Sequence, residues 1–232
     1  MIGSTRISVI IPTLNEAATI GAVLRQFEIL PGDWEVIVAD SGSSDGTCQI
    51  AAQRPGVHVV TVARGRGSGM NDGAALATGE ILLFLHADTF LPRDAHLLIA
   101  RALADRRTSA TAFRLRLDRD DWPYRLVPLA SRVRVRLQRT FFGDQAIAVR
   151  RADFARIGGY REALLMEDVD LSRRLRRLGR LRLLPASVVT SARRFEEGGV
   201  VRTLVLMSGL QVLYACRVRG DRLARWYGVV KE

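Results

Sequence analysis

The stretch LLFLHADTFLP, residues 82–92, decides how the chain is read. Leu82 to Leu85 is an unbroken apolar run without polar alternation, the pattern of a strand covered on both faces. The run stops at His86-Ala87-Asp88, which sets an imidazole and a carboxylate just beyond the carboxyl end of a central strand. Open α/β sheets hold their ligands in the crevice at that end. The competing reading is a strand entering a polar turn, with Asp88 capping a helix that Pro92 helps to start.

Upstream, the same grammar repeats. Ile7–Ile11 is a short apolar strand ended by Pro12-Thr13-Leu14-Asn15-Glu16, after which Ile20, Val23, Leu24 and Phe27 recur at helical spacing. Trp34–Ala39 is a second strand, followed by Asp40-Ser41-Gly42-Ser43-Ser44-Asp45-Gly46-Thr47 and a short helix over Cys48–Gln53. Val57–Ala63 is a third, followed by Arg64-Gly65-Arg66-Gly67-Ser68-Gly69 and a helix from Met70 to Ala77. Parallel neighbours need crossover connections, so strands alternating with helices predict an α/β fold with a Rossmann-like, doubly wound, mostly parallel sheet. The polar clusters fall after the strands. Asp40 and Asp45 offer acceptors to a base N–H or a ribose hydroxyl, against the alternative of an Asx-turn with a helix cap. Arg66 is placed to meet a diphosphate, but its GxGxG spacing lacks the full dinucleotide fingerprint, and a flexible loop is the competing reading.

Downstream, a helix is expected over Ala95–Ala104 and a strand over Ser109–Leu117, with Thr111, Phe113, Leu115 and Leu117 on its apolar face. In Trp122–Arg139 the residues Trp122, Leu126, Leu129, Val133 and Leu137 form one stripe, and Arg132, Arg134, Arg136 and Arg139 crowd the other side. Such a basic amphipathic helix suits an anionic headgroup surface or an anionic acceptor; a solvated face in an arginine-rich chain is the alternative. A strand over Ala146–Val149 precedes a helix over Arg151–Ile157, closed by Gly158-Gly159. Glu167 and Asp168 open a further helix, where the macrodipole favours anions, with Leu171, Leu175 and Leu178 inward and Arg173, Arg174, Arg176 and Arg177 outward. A strand near Leu181–Leu184 and a helix over Val200–Tyr214, patterned by Val201, Leu204, Val205 and Leu210, complete the chain.

At 232 residues the sequence fits a single domain with a sizeable core. Its formal charge of +11 would draw phosphates, nucleic acid or anionic lipid, although Lys231 is the only lysine and part of the excess is an arginine bias. Cys48 and Cys216 lack a disulfide-type spacing, no secretory pattern opens the chain, and the apolar stretch Leu204–Cys216 is too short to span a bilayer. The expected location is the cytoplasm, with peripheral contact at the inner face of the membrane.

Four motifs in order, Ile10–Glu16, Asp40–Thr47, Asn71–Gly79 and Leu85–Thr89, resemble the nucleotide-sugar half of family-2 glycosyltransferases with the GT-A fold. The resemblance divides the chain into a nucleotide-sugar half, 1–105, and an acceptor half with C-terminal helices, 106–232. It implies that Pro12, Thr13, Asn15, Glu16, Asp40, Ser41, Asp45, Arg66 and Asn71 line the donor site with His86, Ala87, Asp88 and Arg194. It further implies that Asp88, with His86 beside it, holds a divalent cation, Mn2+ favoured over Mg2+, where the family usually shows Asp-x-Asp. Gly158-Gly159-Tyr160 followed by Glu167-Asp168 resembles the family's general-base segment, making Asp168 the base and Glu167 its partner. Asp144 and Gln145 are implied to contact the acceptor. The motifs taken together are most similar to a bacterial subset linked by name to arsenosugar biosynthesis.

The reaction so implied is an inverting transfer from a UDP- or GDP-type sugar to a hydroxyl of a small or lipid-like acceptor. Displacing a diphosphate requires a carboxylate within reach of the attacking hydroxyl. The alternatives are a nucleotidyltransferase, which would want a glycine-rich signature after the first strand, and a noncatalytic module binding nucleotide-sugar, nucleic acid or anionic membrane. No specific nucleic-acid partner is expected, and the C-terminal helix is a candidate homodimer or membrane contact.

Overall fold

A computed structural model describes residues 5–62, 65–161 and 165–216, together with Val218 and Leu223. Strand β1 (Ile7–Thr13) lies near the middle of the sheet, between β2 (Trp34–Asp40) and β4 (Ile81–Phe84), and pairs with both in parallel. Its side chains alternate between two cores. Val9 and Ile11 enter one with Leu83, Leu85 and the inward residues of α1 (Ala17–Ile29) and α4 (Ala95–Ala104). Ile10 enters the other with Leu82, Phe84 and Met70. Burial on both faces therefore favours the apolar runs of these strands, with Ser8 of β1 accommodated by its bond to Glu35 of β2.

Helix α2 (Thr47–Ala52) leads to the edge strand β3 (Val57–Thr61), and α3 (Arg66–Leu76) returns the chain to β4. After β4 come the short β5 (Thr89–Phe90), α4, β6 (Thr108–Leu117), α5 (Leu126–Gln138), β7 (Ile147–Arg150) and α6 (Arg151–Arg156). The chain continues through α7 (Glu167–Leu175), β8 (Arg180–Thr190), α8 (Arg193–Gly198) and α9 (Val200–Ala215). The described strands form one sheet in the order β3-β2-β1-β4-β7-β6-β8-β5. β2–β3 and β6–β8 are also parallel, whereas β7 runs antiparallel to both β4 and β6, and β5 antiparallel to β8. The reversal of β7 sets the site: Ile147 faces Phe84, so the residues just before β7 stand beside the tip of β4.

Several expectations change. The glycine-rich segment is no flexible loop, because α3 begins at Arg66 rather than Met70; Arg64 lies outside the described residues. Gly65 turns the chain into the helix at φ 126°, and a Cβ at Gly73 would sit 2.7 Å from Ile10 Cγ2, so the glycines let the helix close onto β1. Asp88 caps no helix; Thr89–Phe90 pairs with Val189–Thr190, and α4 starts only at Ala95. β6 is buried on both faces from Thr108 to Phe113, where it runs between β7 and β8, and alternates only at Arg114–Leu117. Arg174 does not face outward. It is buried, bonds Asp170 at 2.7 Å, and caps the carbonyls of Ile157 and Gly159 at 2.8 and 2.7 Å. Helix α5 turns Val127, Ser131 and Val135 inward and leaves the expected stripe largely in solvent; Val201 and Val205 of α9 are exposed as well.

At the sheet end opposite the strand tips, the buried Glu35 accepts hydrogen bonds from Ser8 Oγ, from Thr78 N at 2.8 Å and from Thr78 Oγ1 at 2.7 Å. Burial alone would raise this carboxyl, but the bonds from Ser8, Thr78 and Gly79 hold it at about 2.

Candidate functional site

The carboxyl ends of β1, β2 and β4 converge with the amino ends of α3 and α7. Arg66, the first residue of α3, spans the crevice. Its Nε donates to Glu167 Oε1 at 2.5 Å, and its Nη2 lies 3.1 Å from both oxygens of Asp168. Its Nη1 stands 3.5 Å from His86 Nε2. From the segment before β7, Gly143 N donates to Asp168 Oδ2 at 2.8 Å. A cation, two carboxylates, an imidazole and a backbone donor thus meet at one point, and Arg66 and Asp168 are 102 residues apart in sequence.

The helix dipole of α7 and the guanidinium both favour negative charge at Glu167 and Asp168. Glu167 is 3% exposed, and burial raises its carboxyl despite Arg66. Burial works against the charge on Arg66, but Asp168 and Glu167 outweigh it and hold the guanidinium protonated. Burial first, then Arg66, lowers the His86 imidazole, which keeps it neutral near pH 7. Two buried oxygens in this region have no hydrogen-bond partner, Glu167 Oε2 and Asp144 Oδ1. Each is a buried acceptor left without a donor.

At the tips of β1 and β2 the loops that follow them are tied together. Asp40, 1% exposed, takes bonds from Thr13 Oγ1 at 2.8 Å, Gly42 N at 3.0 Å, and Ser43 N and Oγ at 2.8 and 2.5 Å. Burial opposes its ionisation, and these donors overcome it, leaving the carboxyl below its ordinary value. Asp45 accepts from Thr47 N and Oγ1 at 3.0 and 2.5 Å, an Asx-turn, and from Ala17 N at 2.9 Å, while the N-cap of α2 is Gly46. Asn15, at φ 56°, accepts from Ser44 N and donates its own N–H to Ser43 Oγ. Ser41 N bonds Thr13 O at 2.9 Å, and Pro12 stands opposite Ala39. Glu16 Oε2 receives Arg193 Nη2 at 3.3 Å, which ties α8 to the loop after β1; Arg194 follows in the same helical turn and is exposed.

Other expected site residues are engaged elsewhere. Asn71 is committed to the Gly159-Tyr160 turn, donating to Tyr160 O and accepting from Tyr160 N, both at 2.8 Å. Gln145, 1% exposed, bonds Phe142 N and Phe113 O and so holds the 143–145 turn rather than facing an acceptor. Ala87 packs into the core. Thr190 and Gly143 were missed: Thr190 Oγ1 donates to Asp88 Oδ1 at 3.1 Å, and nothing in the sequence joins residues 102 apart.

For a divalent cation the fit rests on Asp88. One oxygen is oriented by Thr89 and Thr190, and the other has no partner among the described residues. The described residues contain no cluster of three or more His, Cys, Asp or Glu suited to a metal. One carboxylate completed by substrate phosphates is a sufficient protein contribution for Mg2+-type binding. The donor set therefore fits a cation that arrives with its diphosphate. His86 Nε2, turned toward Arg66, is the less suited ligand.

The Glycosyl transferase family 2 model matches residues 8–161. An undecaprenyl-phosphate 4-deoxy-4-formamido-L-arabinose transferase of Enterobacter sp. (strain 638) is 32% identical over 109 residues, 42% of this chain and 33% of that protein. The match thus spans about a third of that relative's length. Among solved structures, the mannosyltransferase PcManGT from Pyrobaculum calidifontis in complex with GDP-Man and Mn2+ superposes with a TM-score of 0.63 and 25% identity, over 79% of this chain and 56% of that one. S. aureus TarS 1-349 in complex with UDP-GlcNAc superposes at 0.65 with 20% identity, over 80% and 58%, a likeness of fold. No described helix is long and apolar enough to cross a membrane.

Proposed function

The chain belongs to glycosyl transferase family 2, and from that premise we propose that it moves a sugar, with inversion, from a nucleoside-diphosphate sugar to a hydroxyl of a small or lipid-like acceptor. The observation that carries this reading is the convergence of Arg66, Glu167, Asp168, His86 and Gly143 N at the strand tips.

In the proposed reaction the nucleoside lies against the Pro12–Glu16 and Asp40–Asp45 loops. Asp40 and Asp45 act mainly by holding those loops in shape, since their oxygens are already bonded within them. Asp88 would hold the divalent cation, Mn2+ favoured, which when bound offsets charge on the leaving diphosphate. Asp168 accepts the acceptor's proton as its oxygen bonds to the anomeric carbon and the bond from that carbon to the diphosphate oxygen breaks. Gly143 N fixes the orientation of Asp168, and Glu167 anchors Arg66. Donor entry gives Arg66 a second anion to face. A guanidinium shared between the base and the diphosphate would couple proton removal to departure of the leaving group. Asp144, with an unpartnered buried oxygen, is the favoured acceptor contact.

The GDP-Man complex of PcManGT supports a nucleotide-sugar donor, and the name of the Enterobacter relative supports an amphiphilic acceptor. The arsenosugar-linked resemblance enters as the small-molecule arm of an acceptor screen. On this reading the enzyme works in the cytoplasm, at the inner face of the membrane. A thermal-shift and hydrolysis screen over UDP- and GDP-sugars, with and without Mn2+, tests the reading. Stabilisation and slow hydrolysis of one donor, enhanced by Mn2+, is expected; silence across the panel would refute it.

A further inference from the structure

We propose that the outward face of α5, with the groove at its base, is a docking surface for an anionic phospholipid bilayer. The helix carries three rows at near-helical repeat. Val127, Ser131 and Val135 are buried and hold it to the domain. Leu129, Val133 and Leu137 point away, 57%, 48% and 79% exposed, and Trp122 ahead of the helix is 73% exposed. Beside that apolar row runs a basic one, Arg125, Arg132, Arg136 and Arg139. The sequence pattern sets the apolar stripe opposite the arginines; in the fold both rows stand in solvent.

Charge complementarity identifies the occupant. Among the described residues Arg132, Arg136 and Arg139 have no ion-pair partner, and Arg125 meets only the exposed Asp120 at 3.6 Å. Arg116, Arg125 and Arg132 also line, with Leu129 and the single carboxylate of Asp120, a groove of about 240 Å³. Leucine and tryptophan side chains entering the acyl boundary, with guanidinium groups at the phosphates beside them, match both rows at once. A second copy packed on the same face by two-fold symmetry would bring one uncompensated arginine row against another. Anionic lipid neutralises it.

The surface adjoins the site. Helix α5 runs through Arg139 and Thr140 into the segment that supplies Gly143 N to Asp168, and Arg134 on its flank stacks 3.6 Å over Phe142. Helix α9 packs beside α5, where Gln138 donates to Gln211 at 3.1 Å. The inference rests on the glycosyltransferase reading only for its purpose, which is to bring the crevice to an acceptor carried in the membrane.

The test is co-sedimentation of the full chain with vesicles of phosphatidylcholine alone and of an equal mixture with phosphatidylglycerol. Binding to the mixed vesicles only, weakened by salt, is expected. At about a factor of five per arginine near such a surface, Arg132→Gln with Arg136→Gln should weaken it by about 30-fold. Leu129→Ser with Leu137→Ser should weaken it at least about tenfold. Both double variants should keep the parent melting temperature and nucleotide-sugar binding. Absence of binding to mixed vesicles, or an arginine variant that binds like the parent, would overturn the surface. So would a leucine variant whose only change is loss of self-association. Vesicle binding without nucleotide-sugar binding would refute the transferase reading and leave this surface standing; the converse would remove the surface alone.

Discussion

Replacing Arg66 by methionine removes the cation that two buried carboxylates share. Glu167 is 3% exposed, Asp168 is 8% exposed, and Glu167 Oε2 already lacks a partner. Breaking a buried pair from one side costs about 3–5 kcal/mol. The Arg66 side chain is itself 41% exposed, so water screens part of the attraction, and about 2 kcal/mol is the expected loss. For a chain of this length that is a fall of about 4–8 °C in melting temperature. The pH dependence has a definite sign. Glu167 is already raised, and without Arg66 it rises further, so the folded state holds more protons than the unfolded state between the ordinary carboxylate value and the raised one. Stability then falls as pH rises through that window. The deficit should be largest near neutrality and shrink toward about pH 5. Arg66→Met with Glu167→Gln, which removes both charges, should recover at least half of the loss. Thermal unfolding of the three variants and the parent across this pH range is the assay. An Arg66→Met protein melting within about 1 °C of the parent at every pH would show that the guanidinium does not hold the carboxylates.

Other consequences follow from the same contacts. Glu35 is held at about 2 against an ordinary 4.5, so its contribution, on the order of 3 kcal/mol, is present above that ordinary value and lost as pH falls toward 2; Glu35→Gln should unfold at lower temperature near neutrality and show a flatter acid limb. A Cβ at Gly143 would stand 2.7 Å from His86 Nε2 and 3.0 Å from Asp168 Oδ2, so Gly143→Ala should lower turnover about 10²-fold with little change in melting temperature, read by donor hydrolysis. Asp88→Ala should remove the Mn2+ stimulation of hydrolysis and leave metal-free nucleotide binding within a few-fold of the parent, measured by calorimetry.

Much of the sheet was legible because burial on both faces leaves a mark in composition. The run in β4 is apolar without interruption, those in β1 and β2 are broken near their starts only by the paired Ser8 and Glu35, and the polar clusters that end them are the loops that meet at the crevice. Strand direction leaves no such mark, so the reversal of β7, which brings Gly143 to Asp168, could not be read. The helical start at Arg66 was hidden by glycines whose poor propensity is overridden by close packing on β1. Asn71 and Gln145 enter the site only through the resemblance; their polar ends bond the turn at Tyr160 and the backbone around Phe142, contacts that sequence alone does not reveal. On α5 the periodicity was visible, but a stripe does not say which side faces the core.

The central claim is that Asp168 takes the acceptor's proton while the loops around Asp40 and Asp88 hold the donor. Hydrolysis of the nucleoside-diphosphate sugar that the chain binds, with water as acceptor, measures both parts when paired with the donor's dissociation constant. Asp168→Asn should lower hydrolysis at least about 10²-fold, the scale of lost general-base catalysis, and leave donor affinity within a few-fold of the parent. Hydrolysis at the parent rate in that variant would contradict the account.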